Sequence, residues 1–185
     1  MFGYRKIGGC IKLKRIPIDD INDIKHNHVK HTFAPIYNQE SRILILGTFP
    51  SVKSREFGFY YGNPQNRFWK VIARIFECEI PQTNEEKKKM LLNYNIAIWD
   101  VIESCDIIGS SDSSIQNVVP NDLSIILDNS NIKRIYANGK TAAKLYETYN
   151  ELAILRSITT LPSTSPANAA FGLDRLVESW KTIKD

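Results

Sequence analysis

Cysteine is nearly absent from this 185-residue chain, with only Cys10, Cys78 and Cys105, far apart. Three scattered thiols build neither a disulfide framework nor a four-thiolate iron–sulfur cluster. Histidine is equally scarce, and His26, His28 and His31 all lie in the first 31 residues. No cysteine or carboxylate cluster accompanies them, so no metal is expected and they read as part of a solvated segment. With every histidine at the N-terminus and no G-x-S-x-G elbow, serine-hydrolase chemistry has no support. There is no P-loop. No apolar run is long enough to span a bilayer, so no membrane partner is expected. The basic N-terminus lacks a signal-peptide apolar stretch, and a cytoplasmic protein is expected.

Charge of one sign is also missing from most of the chain. Residues 1–30 hold seven Lys/Arg against three Asp/Glu, whereas residues 31–185 hold 17 of each. The whole net charge of +4 therefore sits in the first 30 residues. They are expected to form a basic extension without fixed structure, and residues 31–185 a single globular domain. A balanced globular part is no strong polyanion magnet, so any DNA contact must come from local placement or from the extension.

What the chain does contain is concentrated in residues 42–72. Ile43 to Leu46 read as a buried strand. The strand breaks at Gly47-Thr48-Phe49-Pro50-Ser51, a turn at the carboxyl end, where open α/β sheets bind ligands. Phe59, Tyr60, Tyr61, Asn63, Gln65 and Asn66 follow, and then Phe68 and Trp69 open a helical pattern. Flat rings and amides beside a backbone turn suit a nucleobase. Further strands are expected over 95–101, 133–137 and 156–161, and helices over 66–77, 83–93, 121–129, 140–149 and 172–183. Residues 109–114 read as a polar loop. Alternating strands and helices predict an α/β three-layer sandwich with a central four-stranded parallel sheet. The loops after all four strands then meet at one edge.

The turn GTFPS and the block YYGNPQNRFWKVI resemble the first motif region of the uracil-DNA glycosylase superfamily. Trp99-Asp100-Val101-Ile102, Gly109 to Ser113, and Leu161 to Asn168 (LPSTSPAN) also look familial. The resemblance runs from about His31 to the end. It is closest to the hypoxanthine (deoxyinosine) branch, which is related to the mismatch-specific uracil branch. It implies a monofunctional DNA glycosylase of base excision repair, without cofactor, excising hypoxanthine first and uracil second. The implied partner is DNA carrying a damaged or mismatched base, and a monomer is expected. The different-class alternative is a non-catalytic nucleic-acid or nucleotide binder on the same fold.

In the mismatch-specific branch, an Asn or Asp two residues after the first glycine holds the attacking water. Here that position is Phe49, whose ring accepts no water. The resemblance then points to Asn66 as the catalytic group, handling water or base; a helix cap is the plain alternative. Tyr61 matches the position that stacks on the flipped base, against a simple core role. Substrate contact is further expected from Gly47, Thr48, Phe49, Pro50 and Ser51, mostly through backbone N–H groups, although Pro50 has none. Asp100, Asp112 and Asn138 are candidate pocket groups, against capping or surface roles. Ser163, Thr164, Ser165, Asn168 and Lys140 are candidate DNA contacts. Asn168 or Phe171 is expected to fill the gap left by the flipped nucleotide.

Overall fold

The structure, a computed structural model, describes residues 26–184. In chain order its elements are β1 (Asn27–Lys30), β2 (Ile43–Gly47), α1 (Val52–Phe57), α2 (Phe68–Ile75), α3 (Asn84–Asn93), β3 (Ile96–Asp100), β4 (Ile102–Ile107), β5 (Gln116–Pro120), α4 (Ser124–Leu127), β6 (Arg134–Asn138), α5 (Lys140–Tyr149), α6 (Glu151–Ile154), β7 (Thr159–Leu161) and α7 (Leu173–Trp180). Single 3-10 turns cover Asp112–Ser114 and Lys181–Ile183.

The expected four-stranded parallel sheet is present, in the order β3-β2-β6-β7. Every residue of β2 and β3 is buried, as parallel strands covered on both faces require. The register levels the carboxyl ends: Gly47 lies opposite Asp100, and Leu46 opposite Ala137. Because β2 has β3 on one side and β6 on the other, the chain reverses direction across the sheet at β2, a switch point that opens a crevice above Gly47.

Helix α2 buries Phe68, Trp69, Val71, Ile72 and Ile75, and packs on α7 through Phe68 against Trp180. Helix α3 opens with the expected capping box, Thr83 with Glu86.

A second sheet, antiparallel in the order β1-β4-β5, was not legible in the sequence. The chain passes from β3 into β4 through Val101 alone, with no Gly or Pro to mark a change of sheet. Asn121 secures this junction by donating from Nδ2 to the carbonyls of Asp100 at 2.9 Å and Ile102 at 3.0 Å. Two other expectations shrink. The helix over 121–129 is one turn, Ser124–Leu127, and the strand over 156–161 is only Thr159–Leu161. The extension reading of residues 1–30 falls largely outside the described residues, but Asn27–Lys30 form β1, paired with Ser104 to Ile107.

Candidate base pocket

The carboxyl ends of β2, β3 and β6 and the loop after β7 enclose a cavity of about 860 Å³. Its walls include the turn 47–51, Tyr60, Tyr61, Asn63, Asn66, Asp100, residues 110–113, Asn138, Ser163, Ser165 and Asn168. The convergence expected from topology is therefore real. Gly139, at φ 105°, lets the loop after β7 come close: a Cβ there would lie 3.0 Å from the Cβ of Ser163.

The base of this cavity carries a buried His–Asp hydrogen bond. Asp100 Oδ2 lies 2.8 Å from His31 Nε2, and the side chains are 6% and 2% exposed. His31 Nδ1 accepts the Phe33 N–H at 3.1 Å. One ring nitrogen is thus an acceptor, which puts the imidazole proton on Nε2, where it donates to Asp100. The expectation that all three histidines are solvated is wrong for His31. His28 and His26 fit it better, as both are exposed. Phe33, Phe49 and Tyr60 surround the His31 ring at 5.4, 6.1 and 6.0 Å between centroids. Phe49 is therefore a wall over this pair rather than a polar contact.

Gly47 is dictated by the same cluster. A Cβ there would lie 2.1 Å from Asp100 Oδ1 and 3.1 Å from the Tyr61 hydroxyl. Tyr61 stacks one ring face on Phe68, with centroids 4.1 Å apart. Its hydroxyl is buried without a hydrogen-bond partner among the described residues. Burial first, and the Asp100 charge second, push the phenols of Tyr60 and Tyr61 well above their ordinary range. Both stay neutral at any physiological pH.

Asn66 is tied into the opposite wall. Its Oδ1 accepts the Phe68 N–H at 3.0 Å and the Thr164 hydroxyl at 2.9 Å. The capping alternative is thus part of the structure, and it consumes the carbonyl oxygen. The two Nδ2 hydrogens remain for a ligand. Thr164 in turn accepts from Asn138 Nδ2 at 2.9 Å and donates its backbone N–H to Asn138 Oδ1 at 2.9 Å. Asn138, Thr164 and Asn66 form one relay across two loops.

Thr164 is fully buried, so the expected phosphate contact does not fit its position. Its hydroxyl joins the two motifs instead. Ser163, Ser165 and Asn168 do line the cavity. Asn168 also donates from Nδ2 to the Ser163 carbonyl, which rounds the loop into a compact turn. Phe171 carries the Arg175 guanidinium 4.6 Å above its ring. Lys140 is exposed at the start of α5 and does not line the cavity. In the first turn, the Pro50 carbonyl accepts from Arg55, and Ser51 caps α1 through its hydroxyl. The N–H groups of Phe49 and Ser51 donate to no other backbone group among the described residues. Thr48 is buried, and its carbonyl accepts the Ile102 N–H. Asp112 stands among the cavity-lining residues beside Ser111 and Ser113.

Sequence reasoning missed two residues here. His31 stands 69 positions from Asp100, with no local motif to flag it. Arg67, inside the NRFW block, was passed over between Asn66 and Phe68. Its guanidinium donates to the carbonyls of Thr164, Ser165, Asn168 and Phe171, clamping the loop after β7 onto the start of α2. Among the described residues, no group of three His, Cys, Asp or Glu side chains is placed to hold a metal ion.

The chain is similar to several known proteins. The model of the uracil DNA glycosylase superfamily matches residues 34–184. A hypoxanthine DNA glycosylase from Methanosarcina acetivorans is 33% identical over 161 residues, covering 84% of this chain and 98% of the relative. A second hypoxanthine DNA glycosylase, from Methanosarcina barkeri, is 32% identical over 117 residues, covering 62% of this chain and 74% of the relative. The solution NMR structure of a candidate uracil DNA glycosylase from Methanosarcina acetivorans superposes with a TM-score of 0.72 at 31% identity. That match covers 84% of this chain and 96% of the other.

Proposed function

The chain belongs to the uracil DNA glycosylase superfamily, and on that premise we propose that it is a monofunctional DNA glycosylase that releases hypoxanthine first and uracil second. The base leaves the duplex and enters the cavity. The C1′–N bond breaks with its electron pair going to the base. Water adds to C1′ and loses a proton, leaving free base and an abasic sugar.

The observation that carries the reading is the state of Asn66. Its oxygen is spent on Phe68 and Thr164, so only N–H donors face the ligand. A donor bound to water withdraws density from the attacking oxygen. A donor bound to the departing base stabilises the charge that gathers there. Asn66 therefore acts on the leaving base rather than as a water-holding acceptor. Tyr61 supplies an aromatic wall, and the 47–51 turn supplies backbone donors for base carbonyls.

Schiff-base chemistry has little support. Lys53 is the lysine among the cavity-lining residues, and it is exposed. We read the chain as acting on DNA as a monomer.

Oligonucleotides with single hypoxanthine, uracil, xanthine or mismatched thymine test this reading. Strand scission at hypoxanthine is expected only after alkali. Scission without alkali, with borohydride trapping, contradicts the monofunctional reading. Binding of the same DNA with no abasic product makes the protein a non-catalytic binder.

A further inference from the structure

Resting on the glycosylase reading, we infer that Asp112, on the loop after β4, is the catalytic residue that holds the attacking water and takes its proton. Phe49 leaves the 47–51 turn without a water-holding side chain, and Asn66 offers the cavity only donors. The reaction still needs an acceptor on the water.

Three carboxylates line the cavity among the described residues: Glu56, Asp100 and Asp112. Asp100 is buried at the base, with one oxygen committed to His31. Glu56 lies in the last turn of α1, beyond the 47–51 turn. Asp112 instead meets that turn, where the Thr48 hydroxyl reaches its carboxylate beside Phe49. An acceptor missing from one loop thus returns from another, at the same end of β2. Solvent also reaches Asp112, as a group that takes up water requires.

The loop that carries Asp112 is held in place. The Val52 N–H donates to the Ser110 hydroxyl at 2.8 Å, which ties the loop to the start of α1. The Ser114 hydroxyl accepts the Ile108 N–H at 2.9 Å and donates to the Ser111 carbonyl at 2.7 Å. Asp112 opens the 3-10 turn between these bonds. Desolvation by the surrounding wall raises its carboxyl above the ordinary carboxylate range; the Thr48 hydroxyl opposes this, and the Asp100 charge adds to it. A carboxylate made more basic takes a proton from water more readily.

The placement suits attack from the side opposite the departing base. Asn66 is bonded to Thr164 after β7, Asp112 stands near Asp100 at the end of β3, and β3 and β7 lie on opposite sides of β2. Donor and acceptor therefore approach C1′ from two sides. The base leaves toward Asn66 with the C1′–N electron pair. The water held by Asp112 adds to C1′, and its proton passes to the carboxylate and then to solvent. The released base anion takes a proton from solvent. The carboxylate charge also stabilises the positive charge that grows on the sugar.

The test uses the full chain in single-turnover release of hypoxanthine from a deoxyinosine oligonucleotide. Asp112→Ala is expected to slow release by roughly 10²–10⁴-fold, with binding of the same oligonucleotide within a few-fold of wild type. Formate, a small carboxylate, should restore part of the rate in Asp112→Ala and none in Asn66→Ala. Asp112→Asn keeps the shape and an oxygen for the water but takes no proton, so its rate should fall between the two. It carries the same test if Asp112→Ala does not fold. Release by Asp112→Ala, or by Asp112→Asn, at the wild-type rate overturns the inference. An Asp112→Ala loss that formate leaves unchanged, or one matched by weakened DNA binding, overturns it too. These outcomes leave the glycosylase reading standing, whereas wild type that releases no base from any substrate overturns both.

Discussion

Arg67 donates from Nε to the Thr164 carbonyl at 3.2 Å, while its own backbone N–H reaches the same oxygen at 3.1 Å. The guanidinium also reaches the carbonyls of Ser165, Asn168 and Phe171. The loop closes on itself through Asn168 and Ser163, and the fixed fork of donors ties it to the start of α2. Lysine lacks that fork. Arg67→Lys is expected to lower stability by about 1.5–3 kcal/mol, the range for charged hydrogen bonds. Base release should slow as well, because Thr164 would no longer hold Asn66. Thermal melting and single-turnover kinetics check both effects. A variant with unchanged melting and rate removes Arg67 from the account.

Tyr61→Phe separates the ring from the hydroxyl. The ring packs on Phe68 and lines the cavity, and the hydroxyl is buried without a partner. Removing an unsatisfied buried hydroxyl is expected to be neutral or stabilising by about 1 kcal/mol. Tyr61→Ala should lose roughly 1–3 kcal/mol of base stacking. Equal damage from both substitutions, in binding and in rate, would assign the function to the hydroxyl.

Cys105 gives a pH signature. Burial, and then the charge of Asp106, push its thiol from 9.0 to about 11. Between those values the unfolded chain has lost the proton and the native protein keeps it. Native stability therefore falls as pH rises through that window, and is unaffected by this group below it. Urea unfolding at pH 8 and at pH 10.5 should show a larger drop for wild type than for Cys105→Ala. Equal drops mean the thiol is not shifted.

The parallel sheet was legible because its strands are short apolar runs, and β2, β6 and β7 are followed by turn residues. The pocket was legible because Gly47, Asn66 and the Ser-Pro loop sit where those strands end. The antiparallel sheet was not. Strand β4 carries Glu103, Ser104 and Asp106 between its apolar residues, and its partner β1 lies in a segment whose basic composition reads as a tail. Thr164 was misplaced for a related reason. A hydroxyl between prolines reads as surface, and only the approach of Asn138 and Asn66 buries it. His31 and Asp100 share no local pattern, and the fold alone makes them neighbours.

The most direct measurement is release of free hypoxanthine from a deoxyinosine oligonucleotide by wild type, Asn66→Ala and Asn66→Asp, at saturating enzyme. Asn66→Ala removes the acceptor of Phe68 and Thr164 as well as the donor, whereas the Asn66→Asp carboxylate retains the oxygen that both use. The account predicts release by wild type and a loss of roughly 10²–10⁴-fold in both variants, the range for a positioned catalytic group. A donor facing the departing base is gone in each. Release by Asn66→Asp at or above the wild-type rate would contradict it, since an acceptor would then be serving the water instead.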